Sequence, residues 1–186
     1  MFLRPYEPGD LFQITELFYN TINAVNIKDY TPQQVRAWSG RRQRLLEQSD
    51  FFSRLYTLVA VAEKADTANP DAPGTDAANP DAPGSDTANL NSANDTGEII
   101  IGYGNIDDSG YLDHLFVHKD YQGKKIATAL CDALEAHARS QDCHQITVHA
   151  SITARPFFER RGYTVEKEQI VTVDGVPMKN YAMKLT

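Results

Sequence analysis

Leu115-Phe-Val-His-Lys-Asp-Tyr-Gln-Gly-Lys-Lys-Ile-Ala-Thr-Ala-Leu130 reads as a strand, a tight polar turn and the start of an amphipathic helix. The strand begins earlier, at Tyr111, from which apolar, aromatic and β-branched residues continue to Val117. The helix is predicted over Lys125–Arg139, because Ile126, Leu130, Leu134 and Ala138 recur four apart on one face. A helix N-terminus offers unbonded N–H groups and about half a positive charge, which suits a phosphate. Gly123 permits close backbone approach, Lys124 and Lys125 add charge, and the small Ala127 and the hydroxyl of Thr128 fall in the first turn. A nucleotide P-loop needs a second glycine before its lysine and a dinucleotide fingerprint needs three, so the turn matches neither.

Upstream, Phe2–Tyr6 reads as a short strand, and Asp10 caps a helix with Leu11, Ile14, Phe18, Ile22 and Val25 at helical spacing. Thr31-Pro32 begins a second helix, in cap-then-proline order, that carries Val35, Trp38, Leu45 and Leu46. Tyr56–Glu63 and Glu98–Asn105 are both strand-like. Downstream come a strand at Gln145–Ala150, a short helix at Thr153–Arg161, and a hairpin of Tyr163–Val173 and Val176–Leu185 turning at Asp174-Gly175. The order β-α-α-β-β-β-α-β-α-β-β predicts a mixed α/β (α+β) chain around a mostly antiparallel sheet.

Ala65–Thr96 interrupts this pattern. It is a decapeptide written three times with decay: DTANPDAPGT at 66–75, DAANPDAPGS at 76–85 and DTANLNSAND at 86–95. The period matches no solenoid or propeller unit, and the Asp–Asn–Gly order and closing Glu of a calcium loop are missing. Its composition cannot bury enough apolar area to offset chain entropy. The flanking strands make it the expected tip of a hairpin, so residues 1–186 are expected to form a single domain with an insert at 65–96. Of the 186 residues, 154 remain outside the insert, with 18 basic and 19 acidic groups; the insert's six Asp supply most of the net charge of −7.

Without a basic excess, a nucleic-acid surface lacks electrostatic support. No run of about 18 apolar residues predicts a membrane span. Met1–Asp10 lacks the apolar stretch of a signal peptide, so the expected location is the cytosol, with Cys131 and Cys143 reduced. Their spacing fits neither a zinc pair nor a redox motif.

Gln122-Gly-Lys-Lys-Ile-Ala127, preceded by Leu115-Phe-Val117, resembles the Q/R-x-x-G-x-G/A acetyl-CoA signature of the GNAT N-acetyltransferase superfamily. Ala150-Ser-Ile-Thr-Ala-Arg-Pro-Phe-Phe-Glu-Arg-Arg-Gly-Tyr163 resembles that family's second motif, A-x-x-x-Y-x-x-x-G-F/Y. Tyr30-Thr-Pro-Gln-Gln-Val-Arg-Ala-Trp38 and Asn180-Tyr-Ala-Met183 resemble a bacterial, YafP-like branch. The resemblance covers the chain apart from the repeat. It implies a twisted, mostly antiparallel sheet of about seven strands with helices on both faces, and acetyl-CoA as co-substrate with no metal.

Carried over by position, the resemblance implies that the backbone of Leu115, Phe116 and Val117 pairs with the pantetheine arm. Gln122, Gly123, Lys124, Lys125, Ile126, Ala127 and Thr128 then wrap the pyrophosphate, and Ser151, Ala154, Phe157 and Phe158 line the thioester end. Two residues depart from the pattern. Lys125 stands where the signature prefers glycine, at little cost if its dihedrals are helical. Phe158 stands where the family usually has a tyrosine that protonates the leaving thiolate, and phenylalanine cannot donate a proton.

Acyl transfer to an amine needs a proton acceptor, a proton donor and a hydrogen-bond donor to the thioester carbonyl, the last expected from the N–H of Phe116 or Val117. Asp113, on the alternation face of Leu115 and Val117, is a candidate base or amine anchor, with a solvated edge residue as the alternative. His149 is either a proton relay or a hydrogen-bonded structural residue. Tyr163 and Tyr103 are either phenolic acids or sheet-packing aromatics. Tyr30, Trp38 and Tyr103 are the candidates for the acceptor pocket, although Trp38 also suits the core. Arg41, Arg42 and Arg44 form either an anion-attracting cluster or a solvated helix face. The expected activity is direct acetyl transfer from acetyl-CoA to a primary amine of a small-molecule acceptor, by a monomer or homodimer. The alternatives are a protein or peptide N-acetyltransferase and a catalytically weak acyl-CoA sensor.

Overall fold

The structure is a computed structural model that describes residues 1–48, 50–63 and 98–186; the repeat at 65–96, with its expected place at a hairpin tip, lies outside them. Along the chain run β1 (Phe2–Pro5), α1 (Leu11–Ala24), α2 (Pro32–Ser39), α3 (Arg42–Glu47), β2 (Tyr56–Glu63), β3 (Glu98–Ile106) and β4 (Tyr111–Val117). They are followed by α4 (Ile126–Ser140), β5 (Ile146–Ser151), α5 (Arg155–Arg160), β6 (Thr164–Val173) and β7 (Val176–Leu185). The expected order holds with one correction: the helix after Thr31 is two helices. Its start has a full capping box, in which Thr31 Oγ1 accepts from the Gln34 N–H at 3.3 Å and Gln34 Oε1 accepts from the Thr31 N–H at 3.0 Å. Gly40 is a poor helix former, and the chain tightens there, with the Arg41 N–H bonded to the Trp38 carbonyl at 3.2 Å.

The seven strands form one sheet in the order β1-β2-β3-β4-β5-β7-β6. Alternate residues of β2 mark its two faces. Leu58, Ala60 and Ala62 pack with Ile126, Leu130 and Leu134 of α4, while Val59 and Val61 pack with Ile14, Phe18 and Ile22 of α1. Full burial of such side chains contributes about 1.5–3 kcal/mol each, against about 1 kcal/mol for a cap. The two apolar layers therefore hold the helices to the sheet. Helix α4 comes close enough that a Cβ on Gly102 would lie 2.8 Å from Ile126 Cγ2. Among the described residues no helix is long and apolar enough to cross a membrane.

All neighbouring strands are antiparallel except β4 and β5, which run parallel and pair only at Tyr111 with Thr147 and Leu112 with Val148. Past Leu112 the two strands diverge. The divergence begins at a β-bulge: Leu112 opposes Ile106 and His114 opposes Asn105, so Asp113 has no partner on β3. Such an insertion bends a strand and increases its twist. Buried Asn105 pins it, accepting the His114 N–H on Oδ1 at 2.9 Å and placing Nδ2 3.4 Å from His114 Nδ1.

The bulge corrects the expected placement of Asp113. Leu112, Leu115 and Val117 all belong to the α4 face although Leu112 and Leu115 are three apart, because the extra residue shifts the alternation by one. Asp113 joins His114 in lining a small cavity on the face of α1–α3, rather than sharing the face of Leu115 and Val117.

Candidate active site

The divergence of β4 and β5 opens a cleft of about 740 Å³, walled by both strands, the turn before α4, the start of α5, the segment after α1 and the β6–β7 hairpin. At one end lies the turn before α4. Gly123 has φ +76° and Lys125 has φ +61°. No backbone N–H from Gln122 to Thr128 donates to another described residue, so the run forms a concave set of donors at the positive end of a 15-residue helix. A Cβ on Gly123 would meet no atom within 4 Å, so glycine serves the backbone angle there. Lys125 is left-handed rather than helical, at a cost of about 1–2 kcal/mol for an L-residue, and it occupies the place where the signature prefers glycine.

The side chains of this turn divide in their roles. Gln122 Nε2 donates to the carbonyl of Val117 at 2.7 Å and to that of His118 at 3.4 Å, tying the turn to β4, so only its backbone N–H is left for a phosphate. Thr21 Oγ1 donates to the same Val117 carbonyl at 3.0 Å; with both bonds made, that oxygen is occupied, and the free edge of β4 is carried by Leu115 and the Val117 N–H, since the His118 N–H bonds the Ile101 carbonyl and, two residues back, Phe116 opposes Tyr103. Lys124 lies over the Tyr121 ring, Nζ at 4.6 Å from its centre, outside the cleft wall, whereas Lys125 lines it. Ile126 is buried against Gly102, and Ala127 and Thr128 line the cleft.

Further in, Ser151, Ala154, Phe157 and Phe158 line the wall between β5 and α5. Ser151 Oγ accepts from the Ala154 N–H at 3.0 Å. Phe158 is 2% exposed, its ring edge-on to Tyr163 at 5.0 Å, and it brings no proton donor to the cleft.

The remaining wall comes from the other face of the sheet. The Tyr30 hydroxyl donates to the Lys179 carbonyl and accepts from the Ile152 N–H, both at 2.9 Å, and burial raises its pKa. Trp38 packs on Tyr30, ring centres 5.5 Å apart. Exposed Asp113 places Oδ2 3.7 Å from Nδ1 of His114. His114 was not among the sequence candidates. Its ring is enclosed by Phe18, Phe51, Phe52, Tyr103 and Phe116. Burial lowers its pKa, Asp113 partly opposes this and Arg41 lowers it further, which leaves a neutral imidazole at pH 7 able to accept a proton. His149 is exposed on the cleft wall, edge-on to Tyr111 at 5.3 Å. Asn180 also lines the cleft, with its buried Oδ1 unpartnered among the described residues.

Besides the Lys124 side chain, two expected site residues lie elsewhere. Tyr163 is in the core against α4, where its hydroxyl donates to Glu135 Oε1 at 3.0 Å; burial, and next the Glu135 charge, raise its pKa well beyond the usual phenol range. Tyr103 is fully buried on the opposite face, stacked on Phe116 at 5.6 Å, so it packs beneath the acceptor wall instead of lining it.

A strand pair that splays beside a helix with free N-terminal donors is the arrangement the signature implied, and the family model described as "Acetyltransferase (GNAT) domain" matches residues 26–185. The chain belongs to the GNAT acetyltransferase family. It is similar to the uncharacterized N-acetyltransferase YafP of Escherichia coli (strain K12), with 25% identity over 182 residues, 98% of this chain and 93% of that protein. Among solved structures it resembles a GCN5-related N-acetyltransferase from Rhodopseudomonas palustris, at 26% identity and a TM-score of 0.76, covering 98% of this chain and 93% of that one. The fold also matches the PaiA N-acetyltransferase of Thermoplasma acidophilum in complex with coenzyme A, at 14% identity and a TM-score of 0.65, covering 98% and 96% of the two chains. This acetyltransferase is thus an acyltransferase that uses acetyl-CoA, and the free N–H groups of residues 122–128 fit a pyrophosphate.

Proposed function

We propose that the protein transfers an acetyl group directly from acetyl-CoA to a primary amine of a small-molecule acceptor. The observation that carries this reading is that the free donors before α4 and the Asp113–His114 pair, 3.7 Å apart, line one cleft. Acetyl-CoA supplies an activated thioester, held at its phosphates by the backbone of residues 122–128 and by the Lys125 ammonium. The amine nitrogen forms the new C–N bond as the C–S bond breaks; the nitrogen gives up a proton to Asp113 or His114, and the departing sulfur takes one up. Phe158 cannot supply that second proton, and Ser151 and Thr153 are hydroxyl-bearing residues on the same wall. Positioned acid catalysis is worth about 10²–10⁴-fold, so a chain lacking the family's tyrosine still catalyses, more slowly.

A small acceptor is favoured because Tyr30 and Trp38 cover the far end of the cleft, with Tyr30 tied both to Ile152, just past β5, and to Lys179 of β7. Free Cys131 and Cys143 support action in a reducing bacterial cytosol. The pairing of Glu63 with Glu98 supports a single domain with the repeat inserted between β2 and β3. The test of the cofactor site is Gly123→Glu, which sets a carboxylate among the phosphate donors. Calorimetry is expected to show acetyl-CoA binding lost in Gly123→Glu and retained, only weakened, in Gly123→Ala, which carries the strain of φ +76° without the charge. Undiminished affinity in Gly123→Glu would refute the assignment.

A further inference from the structure

We propose that the acceptor carries a carboxylate beside its amine, and that Arg41 receives that carboxylate while Asp113 faces the amine. The inference rests on the acetyltransferase reading and narrows its acceptor to amino acids and similar amphoteric amines. The three clustered arginines have separated in the fold. Arg42 is paired with Glu16 and Arg44 with Asp174 at 3.3 Å. Arg41 has no carboxylate within ion-pair distance among the described residues, and it lines both the main cleft and a cavity of about 160 Å³ that opens beside it. The same small cavity is walled by Asp113, His114, Trp38, Phe18 and Phe51, and by Arg44; because Arg44 is paired with Asp174, Arg41 is the lining guanidinium left without a carboxylate of its own, across a pocket with aromatic sides from Asp113.

The charge balance of the cleft points the same way. Among the described residues its only lining carboxylate is Asp113, against the cationic Lys28, Arg41, Lys125, Arg160 and Lys179. Lys125 belongs to the phosphate turn, Arg160 to α5, and Lys179 is paired with Glu168 at 2.6 Å. Lys28 and Arg41 remain on the acceptor wall, where a simple cationic amine would meet more like charge than unlike. An acceptor with its own carboxylate reverses that sum, and a guanidinium can hold it through two parallel hydrogen bonds. Its ammonium then lies toward Asp113, which can hold it, and His114, which can take up its proton.

The test uses glycine, L-leucine and L-phenylalanine, each paired with its amide, in two measurements. Equilibrium binding to the protein–coenzyme A complex needs no turnover, and release of free thiol from acetyl-CoA reports turnover. At least one acid is expected to bind more tightly than its amide by about 10–100-fold, the range of a charge-assisted contact. Arg41→Gln should close that gap, Arg41→Lys should restore part of it, and both variants should bind acetyl-CoA as the parent does. If no acid binds better than its amide, or if Arg41→Gln weakens acid and amide alike, the proposal is overturned. Loss of acetyl-CoA binding or of thiol release with every amine would instead count against the enzyme reading, whatever the acids do.

Discussion

Tyr163 and Phe158 lie five residues apart, and each holds the place where composition suggests the other's part. Tyr163 has the phenol, yet its hydroxyl is spent on Glu135, which also binds Arg161 at 2.8 Å. Phe158 reaches the cleft without one. Tyr163→Phe is therefore expected to lower stability by about 1.5–3 kcal/mol, the value of a bond to a charged acceptor, while leaving kcat unchanged; denaturant unfolding and thiol-release kinetics check the two halves. A fall in kcat at unchanged stability would return Tyr163 to the chemistry. The sequence could not separate these roles, because an aromatic in or beside a strand reads the same whether its polar end meets Glu135, as in Tyr163, or the core, as in Tyr103. His114 was illegible for a related reason: only the folded strand shows that five aromatic rings enclose it beside Asp113.

At the scale of elements, the turn into α4 was the most readable part of the chain. Glycine, lysines and the i, i+4 apolar row all agreed, and the helix begins one residue from its expected start. What the turn concealed is the left-handed Lys125. Lys125→Gly removes about 1 kcal/mol of backbone strain and restores a similar amount of unfolded-chain entropy, so thermal unfolding should shift by less than about 4 °C. Acetyl-CoA affinity should fall by up to about fivefold for the lost, solvent-exposed charge. Calorimetry reads both, and a large loss of stability would mean that Lys125 is a structural residue. Strand β4 was legible as a strand, but its parity was not. A bulge leaves composition unchanged, and Asp113 is recognised as the extra residue only through the Asn105 and Ile106 pairings across from it.

At the scale of the molecule, the repeat is expected to be dispensable. Glu63 and Glu98 are paired, so residues 64–97 can be replaced by Asn-Gly, the two-residue turn that suits hairpin twist. Shortening the connection by about four doublings should raise stability by about 2 kcal/mol and leave acetyl-CoA affinity unchanged, as read by denaturant melts and calorimetry; a weakened affinity would give the insert a part in binding. The strand order was only partly readable, because nothing local dictates that β7 enters between β5 and β6. The seam between β4 and β5 has a consequence for cohesion. Two residue pairs bridge it, and the chain crosses it once, from α4 into β5. A molecule filling the cleft leans on residues 113–128 from one side and 149–158 from the other. To such a ligand the two stretches are jaws, while to the protein the ligand is a splice between its first three-quarters and its last quarter. The affinity that feeds the reaction also adds to the ties, Tyr30 to Ile152 and Lys179 and Glu135 to Tyr163 and Arg161, that already join the two parts.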